Sequence, residues 1–150
     1  PSPGLLDEQD NEVLKVCKTA LKTTAKNIEV VRLRDGLRTV MALAQEGNRY
    51  IDKKMPWRTI QTDRNRTATT LWTTLNIVAT LRTICYPYLP FSALKIHRLL
   101  GSDNDLLDIG WENAMPRNGT PLPKPVALFQ KIDDDIPEKE LTRAKTKRID

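Results

Sequence analysis

Cysteine is scarce in this chain: two in 150 residues, Cys17 and Cys85, with no Cys-x-x-Cys pair. That excludes a disulfide scaffold and a four-cysteine zinc site. Histidine is scarcer. His97 stands alone, which excludes a His-Glu-x-x-His centre and leaves no second imidazole for relay chemistry. Long apolar runs are missing as well. The longest uncharged run, Thr67–Leu81, has fifteen residues, six of them threonine. A membrane-spanning helix needs roughly 20 mostly apolar residues, so no membrane partner is expected. Neither a Gly-rich phosphate loop nor a Gly-x-Ser-x-Gly elbow occurs. Ser102, Asp103, Asn104 and Asp105 lack the twelve-residue spacing and terminal Glu of a calcium loop. Cys17 and Cys85 fall on apolar stripes and read as buried, inert thiols, and His97 reads as structural. Nothing in the chain reads as catalytic or metal-binding.

What is present describes a soluble globular domain: 39% hydrophobic and 29% charged residues, with a net charge of +5. The charge is uneven. Residues 1–31 carry a net −1, residues 32–66 a net +5, residues 67–130 a net +1, and residues 131–150 a net 0. The whole excess therefore sits in one window, as for an anionic partner, nucleic acid being the commonest; a solvated helix face is the plainer reading.

Apolar periodicity predicts an all-α bundle of about four helices over residues 7–101. The first, over 7–31, repeats Val13, Leu14, Cys17, Ala20, Leu21, Thr24, Ile28 and Val31, with Asp7, Glu8 and Asp10 near its N-terminus, where the helix dipole favours acids. The second covers 33–54. Leu33, Leu37, Val40, Met41, Ala44, Ile51 and Met55 fall within an arc of roughly 100°, the expected core face. Asn48 lies in that arc and is expected to be a buried amide that fixes helix packing. Arg34, Arg38, Arg49 and Lys53 fill the adjacent arc. Pro56 should end this helix, because proline disfavours helical geometry at Met55. Thr62 or Asp63 can cap a third helix running to about Leu89. It carries two stripes: Ala68, Leu71, Leu75, Val78 and Cys85, and Ile77, Leu81, Ile84 and Tyr88. A fourth spans about Ser92–Leu100, with Gly101 as its C-terminal cap. Residues 1–6 read as linker, 102–132 as an extended Pro-rich tail, and 133–150 as a polar linker or frayed helix. The opening Pro1-Ser2-Pro3-Gly4 has no signal-peptide pattern.

The most informative stretch is Asn48-Arg49-Tyr50-Ile51, four residues, then Pro56-Trp57-Arg58. A tryptophan where a helix meets a proline can present a flat face to an unstacked base, with neighbouring Arg and Lys on phosphates. It can equally plug the end of a bundle. Asn48-x-Tyr50-Ile51-x4-Pro56-Trp57 resembles the hallmark of the anticodon-binding domain of methionyl-tRNA synthetases, class I enzymes, here of bacterial type. Pro87-Tyr88-Leu89-Pro90-Phe91, Leu99-Leu100-Gly101, Gly110-Trp111-Glu112 and the tail from Leu122 to Ile132 resemble later landmarks of that domain, in order and at its spacings.

The resemblance implies a helical domain that reads the CAU anticodon of tRNA(Met), with Trp57 and Pro56 at the contact. It implies a parent ligase in the cytoplasm that joins methionine to tRNA using ATP. This chain has no HIGH-like or KMSKS-like motif, so by itself it should be inactive and hold no cofactor. The family also uses an Asn-x3-Arg on an earlier helix, expected before Pro1. An uncovered apolar face along Leu33–Ile51 or Leu71–Cys85 would follow. The implied partners are the tRNA anticodon stem-loop and the catalytic domain of the same polypeptide, toward which the tail would pack. Arg34, Arg38, Arg49, Lys53, Arg58, Arg64 and Arg66 are candidate phosphate contacts by position. A free-standing helical RNA-binding module and a structural or protein-interaction bundle remain the alternatives.

Overall fold

The computed structural model describes residues 3–129 and 135–146. The first two residues of the expected linker, the last three of the tail expected over 102–132, and residues 133–134 and 147–150 of the expected polar segment lie outside it. The described elements are helical: α1 (Glu8–Glu29), α2 (Leu33–Lys54), α3 (Pro56–Thr59), α4 (Arg64–Cys85), α5 (Pro90–Leu99), a 3-10 turn (Leu106–Ile109) and α6 (Ile136–Thr146). No strand occurs among the described residues. The three long helices have 22 residues each, about 33 Å of axis. α1, α2 and α4 pack on one another, α5 packs on the far side of α4, and α3 closes one end.

The boundaries follow local chemistry. Asp7 caps α1 by accepting from the Asp10 N–H, and the Asp10 carboxylate accepts in return from the Asp7 N–H, a reciprocal capping box. Pro56 ends α2 as expected: Met55 leaves the right-handed helical region and takes φ 45°, and Pro56 begins a short helix of its own. Asp63 caps α4 through the Arg66 N–H at 2.8 Å. α4 stops at Cys85, four residues before the expected end, in a turn over Tyr86–Tyr88. Gly101, at φ 76°, follows α5 as the expected left-handed terminator, and a Cβ there would lie 2.7 Å from Thr120 Cγ2.

Two expectations about the core need correction. On α2 the buried face is Gly36, Val40, Leu43 and Tyr50; of the expected stripe only Val40 is buried, with Ala44, Ile51 and Met55 partly covered. Leu33, Leu37 and Met41 are 53%, 37% and 52% exposed. Asn48, expected inside, is exposed too. The apolar arc is real, but α1 and α4 cover its flank. Gly36 shows why: a Cβ there would lie 2.0 Å from the Tyr88 hydroxyl, so the glycine lets α2 close on the turn after α4. The second correction concerns α4. Ile77, Ile84 and Cys85 are buried, but so are Thr67, Thr69, Thr70, Thr73, Thr80, Thr83 and Arg82, while Leu71 is exposed. Threonine can do this because its methyl packs like valine's while its hydroxyl bonds backward along the helix. Thr67, Thr69, Thr74, Thr80 and Thr83 each donate to the carbonyl four residues earlier.

Beyond α5 the chain crosses back over the bundle in extended form. Trp111 Nε1 donates to the Leu21 carbonyl at 3.0 Å, Thr83 Oγ1 to the Glu112 carbonyl at 2.7 Å, and Asn113 Nδ2 to Asn76 Oδ1 at 3.3 Å. From Pro121 to Ala127 the tail is exposed. His97 is buried and its Nε2 meets the Asn104 carbonyl at 2.8 Å, a structural role that ties α5 to the loop after it. The two faces of α2 can be told apart by stability. Leu43→Ala should cost about 2–5 kcal/mol, the usual loss for a fully buried leucine, and Leu37→Ala well under half of that, as read by urea unfolding of the two variants.

Candidate nucleic-acid interface

The turn from α2 through α3 into α4 places the residues singled out by the Pro-Trp pattern. Trp57 is 56% exposed, so its ring is free to stack and is not a plug in the end of the bundle. Pro56 is buried and starts α3, setting the shape of the turn. α3 is held to α4 by Thr59: its hydroxyl lies 2.8 Å from that of Thr67, which donates at 2.9 Å to the Asp63 carbonyl.

The seven basic candidates separate into three groups. Arg49, Lys53, Arg58 and Arg64 lie exposed on the last turns of α2, on α3 and at the start of α4, the end of the bundle that carries Trp57. Of these, Arg49 is paired with Glu46, and no ion pair joins Lys53, Arg58 or Arg64 among the described residues. Arg34 and Arg38 share the exposed α2 face at its other end, with Arg34 about 28 Å from Lys53 at helical rise, and Arg38 is paired with Asp35 at 3.3 Å. Arg66 departs from the expectation. Its guanidinium turns inward to the Asp10 carboxylate at 2.5 and 2.6 Å, so it is committed before any phosphate arrives.

Asp10 is the centre of a cluster that sequence reading missed. Its side chain is fully buried. It accepts from Arg66, from the Tyr50 hydroxyl at 2.8 Å and from the Asp7 N–H at 2.9 Å, with Lys54 Nζ at 3.3 Å. Lys54 also reaches Asp7 at 2.5 Å and sits 5.6 Å above the Tyr50 ring. Burial alone would raise the Asp10 pKa. The hydrogen bonds from Arg66, the Asp7 N–H and Tyr50, with the charge of Lys54, outweigh it and hold the carboxyl at about 2. The same burial, reinforced by the carboxylate, pushes the Tyr50 hydroxyl up to about 12. The only local trace of this cluster is the Asp-x-x-Asp at residues 7–10, which can be read as a capping box but says nothing of Arg66, 56 residues on.

The bundle thus carries an exposed indole and uncommitted cations together at one corner. A family model, "Anticodon binding domain of methionyl tRNA ligase", matches residues 1–148, and the chain belongs to that family. It is 32% identical over 173 residues to the methionine–tRNA ligase of Roseiflexus sp. (strain RS-1), covering 98% of this chain and 29% of that protein. It is 40% identical over 135 residues to the methionine–tRNA ligase of Pyrococcus abyssi, covering 90% of this chain and 18% of that protein. The apo methionyl-tRNA synthetase of Mycobacterium tuberculosis shares the fold, with a TM-score of 0.79 at 24% identity, over 89% of this chain and 28% of that one. The chain thus spans less than a third of the length of these curated relatives.

The cluster has a pH signature. Asp10 has a folded pKa of about 2 against 3.8 for the free side chain, so its stabilisation is complete above about pH 4 and lost as pH falls through about 2. That loss is on the order of 2 kcal/mol. Unfolding free energy measured by urea titration at stepped pH should fall over this window, and Asp10→Asn should flatten the fall. The variant should start from a lower plateau, since Lys54 and Arg66 would then share the single carboxylate of Asp7.

Proposed function

We propose that this chain reads the anticodon stem-loop of tRNA(Met) as one domain of a methionine–tRNA ligase in the cytoplasm. The observation that carries the reading is Trp57, half-exposed at a corner whose backbone Pro56 fixes, in a chain of the anticodon-binding family. A fixed indole loses little entropy when a base stacks on it. Arg58, Arg64 and Lys53 carry free charge beside it for the loop phosphates, and Arg34 and Arg38 extend that face along α2 toward the stem. Pro56 keeps a place in the site through the turn it sets. Arg66 is withdrawn from the phosphate set.

The remaining polypeptide supplies the chemistry. Methionine activation with ATP belongs to a catalytic domain outside this chain, and this chain takes no cofactor of its own. The uncovered strip of Leu33, Leu37 and Met41 and the exposed tail from Pro121 are the faces for packing against the rest of the parent protein. No helix among the described residues is long and apolar enough to cross a membrane.

Replacing Trp57 by Ala in the full-length ligase should cost about 1–3 kcal/mol of binding to a CAU stem-loop, roughly 5- to 150-fold. Fold stability should change by less than the 3–5 kcal/mol of a core Trp→Ala, as about half of the ring is already in water. Retained anticodon discrimination in that variant would remove the proposal. Salt gives a separate reading. Binding should weaken with added KCl, and Arg58→Gln should flatten the log–log slope by about 0.7, one phosphate contact on single-stranded RNA. Arg66→Gln should leave the slope unchanged at equal folded fraction.

A further inference from the structure

The Trp57 corner has two ends, and both are tied to the same buried carboxylate. Lys54, the last residue of α2, stands three residues before Trp57, and Arg66, in the first turn of α4, nine after it. Lys54 Nζ lies 3.3 Å from Asp10 Oδ1 and 2.5 Å from Asp7 Oδ2, while Arg66 Nη2 lies 2.5 and 2.6 Å from the two Asp10 oxygens. One turn before Lys54, the Tyr50 hydroxyl donates to the same carboxylate at 2.8 Å. Asp10 is fully buried, so it cannot meet RNA itself. Two carboxylates face two cations, so the cluster adds no net charge to the surface. Its effect on a bound partner can only pass through geometry, namely the separation and angle of the two helix ends between which α3 hangs.

We propose that Asp10 is a positioning residue for tRNA recognition, holding the ends of α2 and α4 at the spacing that fixes Trp57 in its exposed, stacking-ready pose. This inference rests on the anticodon-reading role of Trp57. The strain of the corner gives the clamp something to oppose. Met55 holds φ 45°, a conformation that a non-glycine residue keeps only where its surroundings enforce it. Apart from the Asp10 clamp, α3 is tied to α4 by the hydroxyl pair of Thr59 and Thr67.

The test uses the full-length ligase and tRNA with a CAU anticodon. Asp10→Asn keeps the shape of the side chain and removes the charge that gathers Lys54 and Arg66. The expected result is a KM for tRNA raised about fivefold or more, comparable to the lower range of the loss of base stacking, with kcat within about twofold. Ile84→Ala is the control for stability alone. Ile84 is fully buried in the same helix as Arg66, about 27 Å further along, so its loss loosens the bundle far from the corner. At an equal or larger drop in Tm, it should leave the KM for tRNA unchanged. Asp10→Glu, which keeps the charge, should restore part of the affinity. Should Asp10→Asn fail to fold, Lys54→Gln at the rim of the cluster replaces it and should shift KM in the same direction. Equal KM effects from the Asp10 and Ile84 variants, or no effect from Asp10→Asn or its Lys54→Gln substitute, would overturn the inference. Trp57→Ala run in parallel separates the two failures. If it raises KM and Asp10→Asn does not, only the positioning role falls; if it too has no effect, the anticodon reading falls and the positioning role with it.

Discussion

A buried carboxylate must be surrounded by donors or it will not stay ionised, and Asp10 meets that demand with groups from three helices. It takes the N–H at its own helix start, the Tyr50 hydroxyl from the end of α2, and the Arg66 guanidinium from the start of α4. The end of the bundle that carries Trp57 is therefore organised around one desolvated charge and its ligands. At the opposite end, no comparable ion-pair cluster is found among the described residues; the close approach of Tyr88 to Gly36 sets the packing there, beside the buried Arg82 side chain.

This division bears on how a recognition surface stays both exposed and ordered. Trp57 makes little use of the core for its own placement, since about half of its area faces water. Its order is borrowed from neighbours: a proline that restricts the residue before it, a short helix roped to α4 by Thr59, and two helix ends drawn to one carboxylate. The cations nearest to it stay free because the cluster is neutral within itself. Asp7 and Asp10 occupy Lys54 and Arg66 and leave Lys53, Arg58 and Arg64 without internal partners among the described residues.

How much of this could be read from residues alone depends on the range of each cause. The end of α2 at Pro56, the Asp63 cap and the Gly101 terminator were legible because each is decided within a few residues. The Pro-Trp pair pointed to the corner for the same reason. The buried face of α2 was misplaced because a helical wheel shows which side is apolar, not which side a neighbour covers, and Leu33, Leu37 and Met41 lie where α1 and α4 do not reach. Asn48 was misread along with that face. The buried threonines of α4 fall outside both expected apolar stripes, and the back-bonding that lets Thr67, Thr69, Thr80 and Thr83 sit inside is not visible in an apolar period. Arg66 looked like its neighbours Arg58 and Arg64, and only the fold, by bringing residue 10 to residue 66, separates it from them.

The threonine interior of α4 also matters before the chain has folded. A helix buried on most of its sides in a larger protein is ordinarily built from Val, Ile and Leu, and a run such as Thr67–Leu81 written that way would approach the hydropathy of a membrane segment. Threonine lowers that hydropathy in the extended chain, where each hydroxyl is met by water. On helix formation the hydroxyls that bond backward remove themselves from the surface and leave methyl groups to pack. A nascent or transiently opened chain presents there a segment less apolar than its Val, Ile and Leu counterpart and less easily taken for a transmembrane span, and the folded one presents a valine-like face.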